Sequence, residues 1–457
     1  MMLTVEQAVR ATNAAVRHAE GFPPQLRIVT DTRTLQSGDV FLALRGERFD
    51  GHAYVRDALQ GGAAAAIVDD VSALPEKAPA LIVADTKRAY MHLAGAARES
   101  FSGRVAGITG SAGKTTTKHL LAQLLTAHYG AEHVLASPAN ENNEIGVSKL
   151  LLGINAEHRI LVIEMGARHE GEIAELAEIA QPHIGILTNI GEAHLEIFGS
   201  RERLARTKWG LFAFGARAVL NARDTESSLR APALPEPAVW FGYGEPSVPG
   251  VWIHSKNVLR IDALGIEVPL DIRLPGAHNG ANLAAAIAGA VELGVTPETI
   301  EQTVPSLTLP PGRYERIQAG GGMQLIYDAY NANASGMIAA LDAFACEQAE
   351  HRIAVLASMA ELGPDAPALH ERIGAHAARA GVDMLLVGGD YADSMMTGAV
   401  AAGFPRERVV AFADNAAAAQ WLRAHAGARD AVLLKGSRKY KMEEIVTALR
   451  PVEGQRA

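Results

Sequence analysis

The sequence predicts an α/β protein of three domains, and three observations predict it. A glycine-rich loop, Gly110-Ser111-Ala112-Gly113-Lys114-Thr115-Thr116, stands between an apolar run and a helix-periodic stretch. Apolar runs of strand length alternate with amphipathic stretches of helix length on both sides of the turn-rich break Pro310-Pro311-Gly312, the pattern of parallel sheets flanked by helices. The chain has 457 residues, which at about 150 residues per domain leaves room for three.

Up to Asp85, short apolar runs at 40–44, 63–68 and 80–83 separated by glycine and charged turns predict a small α/β domain over 1–85. A central domain over 86–312 begins with a strand at 105–109, the glycine loop and a helix at 114–129. Runs 159–164 (RILVIE) and 184–189 (IGILTN) read as buried strands. Between them a helix over 170–180 sets Ile173, Leu176, Ala177 and Ala180 on one face, and Pro182 stops it. Residues 222–275 hold seven prolines yet keep alternating apolar stretches, so they read as mixed strands and loops extending this domain. Beyond the break, runs at 353–356, 384–387, 409–412 and 431–434 with helical stretches between them predict a second doubly wound, Rossmann-like domain over 313–457.

Composition excludes several classes. Hydrophobic residues at 48% and charged residues at 20% rule out a disordered or collagen-like chain. A net charge of −9 without a basic, aromatic-rich stretch argues against a nucleic-acid partner. No long charge-free apolar run suggests a membrane span, and the N-terminus lacks the apolar core of a signal peptide. The single cysteine, Cys346, forms no intrachain disulfide and reads as a core residue in a helical stretch at 336–349. A reducing, cytoplasmic location is the expectation.

The glycine loop has the chemistry of a phosphate cradle. Glycines admit close backbone approach, the helix N-terminus favours negative charge, Lys114 neutralises β- and γ-phosphates, and a threonine hydroxyl is a Mg²⁺ ligand. It is a variant, T-G-x-x-G-K-T, because Ile108 stands where the common pattern has glycine. Glu164 ends a buried strand, where open α/β sheets place ligand groups, and offers Mg²⁺ a hard oxygen. His194 follows another strand end; taken alone, a histidine there is more often structural. Lys208, in LARTKWGLF, reads alone as a surface lysine. Asn279 and Asn282 open an alanine-rich helix, where amides cap the helix or meet a base edge. Arg313 and the polar run holding Asp328 and Asn331 follow turn signals, with an arginine suited to phosphate and a carboxylate to ribose hydroxyls.

In order, these motifs resemble the Mur ligase family of ATP-dependent amide ligases over nearly the whole chain. The resemblance rests on DTRTLQSGDVFLALRGERFDGH, NENNEIGVSKLLL, EMGARHEGEI, TNIGEAHLEIFGS, DAYNANASGM, MAELGP and LLKGSRKYKMEEIV. It implies an N-terminal domain that binds a UDP-sugar, a central ATPase domain and a C-terminal domain that receives an amine. By the same resemblance Gly110, Ser111, Gly113, Lys114, Thr115 and Thr116 hold ATP, and Thr115, Glu164 and His194 bind Mg²⁺. Lys208 matches a lysine that is carbamylated in several members. Asn279, Asn282, Arg313 and Asp328 reach the nucleotide, while Asp31, Arg33, Asn142, Asn143 and Asn331 contact the substrate. Two departures stand out: Lys208 is followed by Trp209-Gly210 instead of G-E, and Ser358 replaces the aspartate of the usual G-D-M-x-E-L-G.

The implied reaction adds D-alanyl-D-alanine to UDP-N-acetylmuramoyl-tripeptide through an acyl phosphate, in a monomeric enzyme of peptidoglycan synthesis, with catalysis by Lys114, Glu164, His194 and Lys208. The rivals are a sister ligase adding another amino acid, or a folylpolyglutamate synthase, and, from a different class, a non-catalytic ATP-binding switch.

Overall fold

The computed structural model describes residues 2–46, 49–191, 198–254 and 257–450. Among them the strands form three sheets, of five, nine and six strands. The first runs in the spatial order Ala15–Arg17, Ala80–Ile82, Ala65–Val68, Val40–Leu42, Ile28–Val29, parallel except at its first pair. Alternation along each strand splits its residues between two cores. Leu42, Ile67 and Leu81 pack with Tyr90 and Leu93 of helix Thr86–Glu99, whereas Phe41, Ala66 and Val68 pack with Val55 and Ala58 of helix Val55–Gln60.

The nine-stranded sheet runs Val134–Ala136, Ile160–Glu164, Arg104–Thr109, Ile184–Leu187, Arg217–Asn221, Val239–Tyr243, Val251–Ile253, Val258–Ile261, Ile266–Pro269. It is parallel up to Val251–Ile253, and the last two strands are antiparallel additions. Helices Lys114–Tyr129 and Ala277–Glu292 cover one face through Leu120, Leu124, Leu283 and Ile287. Glu172–Ala180 covers the other through Ile173 and Leu176. That helix ends at Gln181, which takes the left-handed conformation before Pro182, a residue that disfavours helix in its predecessor.

The six-stranded sheet runs Glu315–Gln318, Gln324–Tyr327, Ala431–Lys435, Arg352–Ala357, Met384–Gly388, Val409–Ala411, antiparallel only at its first pair. One position departs from the sequence reading. Cys346 is exposed instead of buried, because helix Ala334–Phe344 stops two positions before it and leaves the thiol outside the packed face.

Helix Thr86–Glu99 serves two bodies. Ala89, Tyr90, Leu93 and Ala97 join the N-terminal core while Ala94 joins a central one. At its end the buried Arg98 donates from Nε to the Ala180 carbonyl at 2.8 Å, from Nη1 to Phe101 at 3.0 Å and from Nη2 to Gln181 at 3.0 Å.

Candidate active site

Strand Arg104–Thr109 delivers the chain to the glycine loop, and backbone geometry there explains the composition. Gly110 has φ +148°, and a Cβ on it would lie 1.9 Å from Thr188 Oγ1. Gly113 has φ +81°, and a Cβ on it would lie 2.3 Å from Asn282 Oδ1. Only glycine fits either position. The neighbouring strand end pins the loop: Ser111 N donates to Asn189 O (2.9 Å), Ala112 N to Asn189 Oδ1 (3.1 Å), and Thr188 Oγ1 to Ala112 O (2.6 Å). Lys114 folds back so that Nζ donates to Gly110 O at 2.7 Å. Burial pushes its pKa down, with Glu164 pulling the other way.

Glu164 is 1% exposed at the end of its strand. Its Oε1 accepts from Thr115 Oγ1 at 3.1 Å and from Asn142 Nδ2 at 2.8 Å. Its Oε2 lies 3.1 Å from Lys118 Nζ, and its backbone N donates to Ser137 Oγ at 3.0 Å. A buried carboxylate surrounded by a hydroxyl, an amide and an ammonium, beside a phosphate-type loop, offers hard oxygens to a divalent cation.

Across a cleft of about 270 Å³, the C-terminal domain faces this floor with Arg313, Tyr330, Asn331, the turn Ala360–Leu362 and Lys435. The Arg313 guanidinium lies over the Tyr330 ring, 4.4 Å from its centroid, and Arg438 lies over it at 5.4 Å. Arg313 Nε and Tyr330 OH are buried with no hydrogen-bond partner among the described residues. Polar atoms left so are groups that a ligand would satisfy. Asp328 stands behind this wall, with Lys435 Nζ donating to Oδ2 at 2.6 Å and Tyr314 N to Oδ1 at 3.2 Å.

The cleft thus brings together Ser111, Gly113, Lys114, Thr115, Thr116, Asn142, Glu164, Arg313 and Asn331. Gly110, Asn282 and Asp328 brace it from behind. Asn279 is buried, with Nδ2 donating to Pro275 O at 2.8 Å and Oδ1 facing Asn282 Nδ2 at 3.4 Å. Asn143 instead caps helix Glu144–Leu152, its Oδ1 accepting from Gly146 N at 3.0 Å. Asp31 and Arg33 lie in the N-terminal domain and pair with each other at 2.6 Å; that pairing lowers the Asp31 pKa to about 2. His194 falls in 192–197, outside the described residues. Lys208, read alone as a surface residue, is 2% exposed; burial, with Lys114 adding to it, lowers its pKa to about 7.

Sequence reasoning passed over Lys118, Ser137, Asn189 and Lys435, whose roles are contacts between segments far apart in the chain. Ser358 gains an explanation. It is buried, its Oγ donates to Gly388 O at 3.2 Å and accepts from Tyr391 N at 2.9 Å, and an ionised aspartate could not make the first of these bonds.

Comparison with known proteins follows the same three bodies. Residues 27–99 match the model of the Mur ligase family, catalytic domain, residues 108–290 that of the Mur ligase middle domain, and residues 312–438 that of the Mur ligase, glutamate ligase domain. A relative from Synechocystis, a UDP-N-acetylmuramoyl-tripeptide–D-alanyl-D-alanine ligase, is 37% identical over 92% of this chain and 91% of its own. The crystal structure of MurF from Acinetobacter baumannii superimposes with a TM-score of 0.87 at 30% identity, covering 98% of this chain and 99% of that one. MurF ligase from Thermotoga maritima, solved in complex with ADP, gives 0.80 at 28% identity over 93% and 96%.

Proposed function

The chain belongs to the Mur ligase family, and from that premise we propose that it is an ATP-dependent ligase joining D-alanyl-D-alanine to the terminal carboxylate of UDP-N-acetylmuramoyl-tripeptide. The product is the UDP-N-acetylmuramoyl-pentapeptide used in peptidoglycan synthesis, made in the cytoplasm. The observation that carries this reading is the buried Glu164 beside Thr115 and Lys114 on one side of a cleft whose other side, with Arg313 and Asn331, belongs to a different domain. In this reading residues 1–85 hold the UDP-sugar, 86–312 hold ATP, and 313–457 receive the dipeptide amine.

A carboxylate is a poor electrophile, so amide formation needs a better leaving group. Phosphoryl transfer from ATP gives an acyl phosphate and ADP; the dipeptide amine then attacks the acyl carbon and inorganic phosphate leaves. Catalysis is positioning plus charge stabilisation. The loop amides at the start of helix Lys114–Tyr129 and the Lys114 ammonium hold the phosphates. Arg313, with its unpartnered Nε, meets the nucleotide from the facing domain. Thr115 and Glu164 offer hard oxygens suited to Mg²⁺, which typically takes one or two carboxylates plus substrate phosphates; the family resemblance adds His194, which lies outside the described residues. Bound there, Mg²⁺ supplies charge neutralisation to the phosphoryl oxygens. Lys208, buried and with its pKa near neutrality, offers the unprotonated amine that carbamylation requires.

The test is phosphate release from Mg-ATP with UDP-N-acetylmuramoyl-tripeptide, with and without D-alanyl-D-alanine, and the mass of the nucleotide product. Release that depends on the dipeptide, with a product heavier by the dipeptide less water, is the expected outcome. Release with a different amine would move the chain to a sister activity, and nucleotide binding without turnover would make it a switch.

A further inference from the structure

Lys118 has no part in the mechanism above, yet it is 5% exposed and its ammonium is placed between two components of the site. It lies one helical turn after Thr115 on helix Lys114–Tyr129, so both side chains reach the same carboxylate. Thr115 Oγ1 donates to Glu164 Oε1 at 3.1 Å, and the Lys118 ammonium forms an ion pair with Oε2 at 3.1 Å, an oxygen that accepts no hydrogen bond among the described residues. The same Nζ donates to the Ala139 carbonyl. Ala139 adopts φ +40°, a left-handed conformation that is disfavoured for a non-glycine residue and needs outside support.

The segment 138–142 is a short bridge pinned at its ends. Ser137 N donates to Val162 O at 2.9 Å before it, and Gly166 N donates to Asn142 O at 2.8 Å at its far end. Asn140 and Asn142 on this bridge line the cleft, and Asn142 donates to Glu164 Oε1. Lys118 supplies the mid-span contact. A buried ammonium is retained only where it is paired and hydrogen-bonded, and here its two partners are the carboxylate on the ATP side and the carbonyl of the bridge.

We propose that Lys118 is a positioning residue that ties the bridge 138–142 to the Glu164 carboxylate, and so sets Asn140 and Asn142 for the peptide end of the UDP-linked substrate. The identity of that substrate rests on the function proposed above; the mechanical tie does not. Removing the ammonium leaves Ala139 strained and without its donor, so the bridge loosens while the glycine loop, held separately by Thr188 and Asn189, keeps its shape.

Two measurements separate the tie from the substrate assignment. Hydrogen exchange followed by mass spectrometry on ligand-free K118M should show faster exchange in 138–142 with the strand Ile160–Glu164 unchanged. In steady-state assays K118M should raise KM for UDP-N-acetylmuramoyl-tripeptide about tenfold, the lower end of losses seen when the support of a ligand group is removed, and leave KM for D-alanyl-D-alanine within about twofold. K118R, which keeps a cationic donor, should recover most of both effects. Unchanged exchange in the bridge, equal rises in both KM values, or K118R behaving as K118M would overturn the proposal. So would loss of folding in both variants, which would make Lys118 a core-stability residue. Faster exchange in an enzyme that ignores the UDP-tripeptide would leave the tie standing and overturn the substrate assignment instead.

Discussion

Lys208 sits among charged neighbours in LARTKWGLF, a context that reads as a solvated helix, yet helix Arg201–Trp209 turns it inward to 2% exposure. Desolvation disfavours its ammonium, and Lys114 nearby adds to the effect, which brings the pKa from 10.5 down to about 7. The fraction in the amine form therefore rises with pH through neutrality, whereas an exposed lysine would stay protonated until about three units higher. With ¹³C-labelled bicarbonate, a carbamate carbon signal is expected that strengthens from pH 6 to pH 8 and is absent in K208M; an equal signal in both proteins would place the carbamate elsewhere. Residues whose chemistry acts locally, such as Lys114 and Thr115 in the loop or Glu164 at a strand end, are legible from sequence because position within one element defines their task. Lys118, Ser137 and Asn189 are not, because each works through a partner that only the fold brings near. Asn143 shows the opposite limit: its type suits both substrate binding and capping, and the bond from Gly146 N establishes the cap while the Asn143 amide nitrogen stays available to a ligand.

At the scale of elements, the glycine loop is a junction whose shape depends on two strand ends and a helix from elsewhere in the chain. Gly113→Ala adds a left-handed cost of about 1–2 kcal/mol and drives a methyl group against Asn282 Oδ1, so the variant should lose about tenfold or more in ADP affinity, about 1.4 kcal/mol being a factor of ten. Calorimetric titration with ADP checks this, and wild-type affinity in the variant would show that the loop adopts another conformation when loaded. The parallel strands of the central and C-terminal sheets were readable because burial on both faces makes them continuous apolar runs. Thus the expected 159–164 is Ile160–Glu164, and 384–387 is Met384–Gly388. The region 222–275 was readable only as mixed, since Val251–Ile253, Val258–Ile261 and Ile266–Pro269 are three or four residues long and sit at a sheet edge. There, pairing direction is set by neighbours instead of by local pattern.

For the whole molecule, the cleft exists only where the central and C-terminal domains face each other, and the chain crosses between them through a short connection. Gln123, on the helix that follows the glycine loop, holds Thr308 by three bonds of 3.0–3.2 Å. Gly312 and Tyr314, both at positive φ, are fastened to the other side through Glu315 and Asp328. If binding closes the two domains on each other, the hinge is expected in the few residues between these anchors. The opposite junction is tied differently: Arg98, on a helix shared by two cores, donates to the Phe101 carbonyl and to two carbonyls, Ala180 and Gln181, at the end of helix Glu172–Ala180. Heat should therefore treat the molecule as two parts. Differential scanning calorimetry of the ligand-free protein is expected to resolve two cooperative transitions, the larger one melting the first and second sheets together. R98M should divide that transition and bring its first component to lower temperature. Three sheets would then absorb heat as three units, with the buried guanidinium and the helix that carries it joining the first two into a single thermodynamic object.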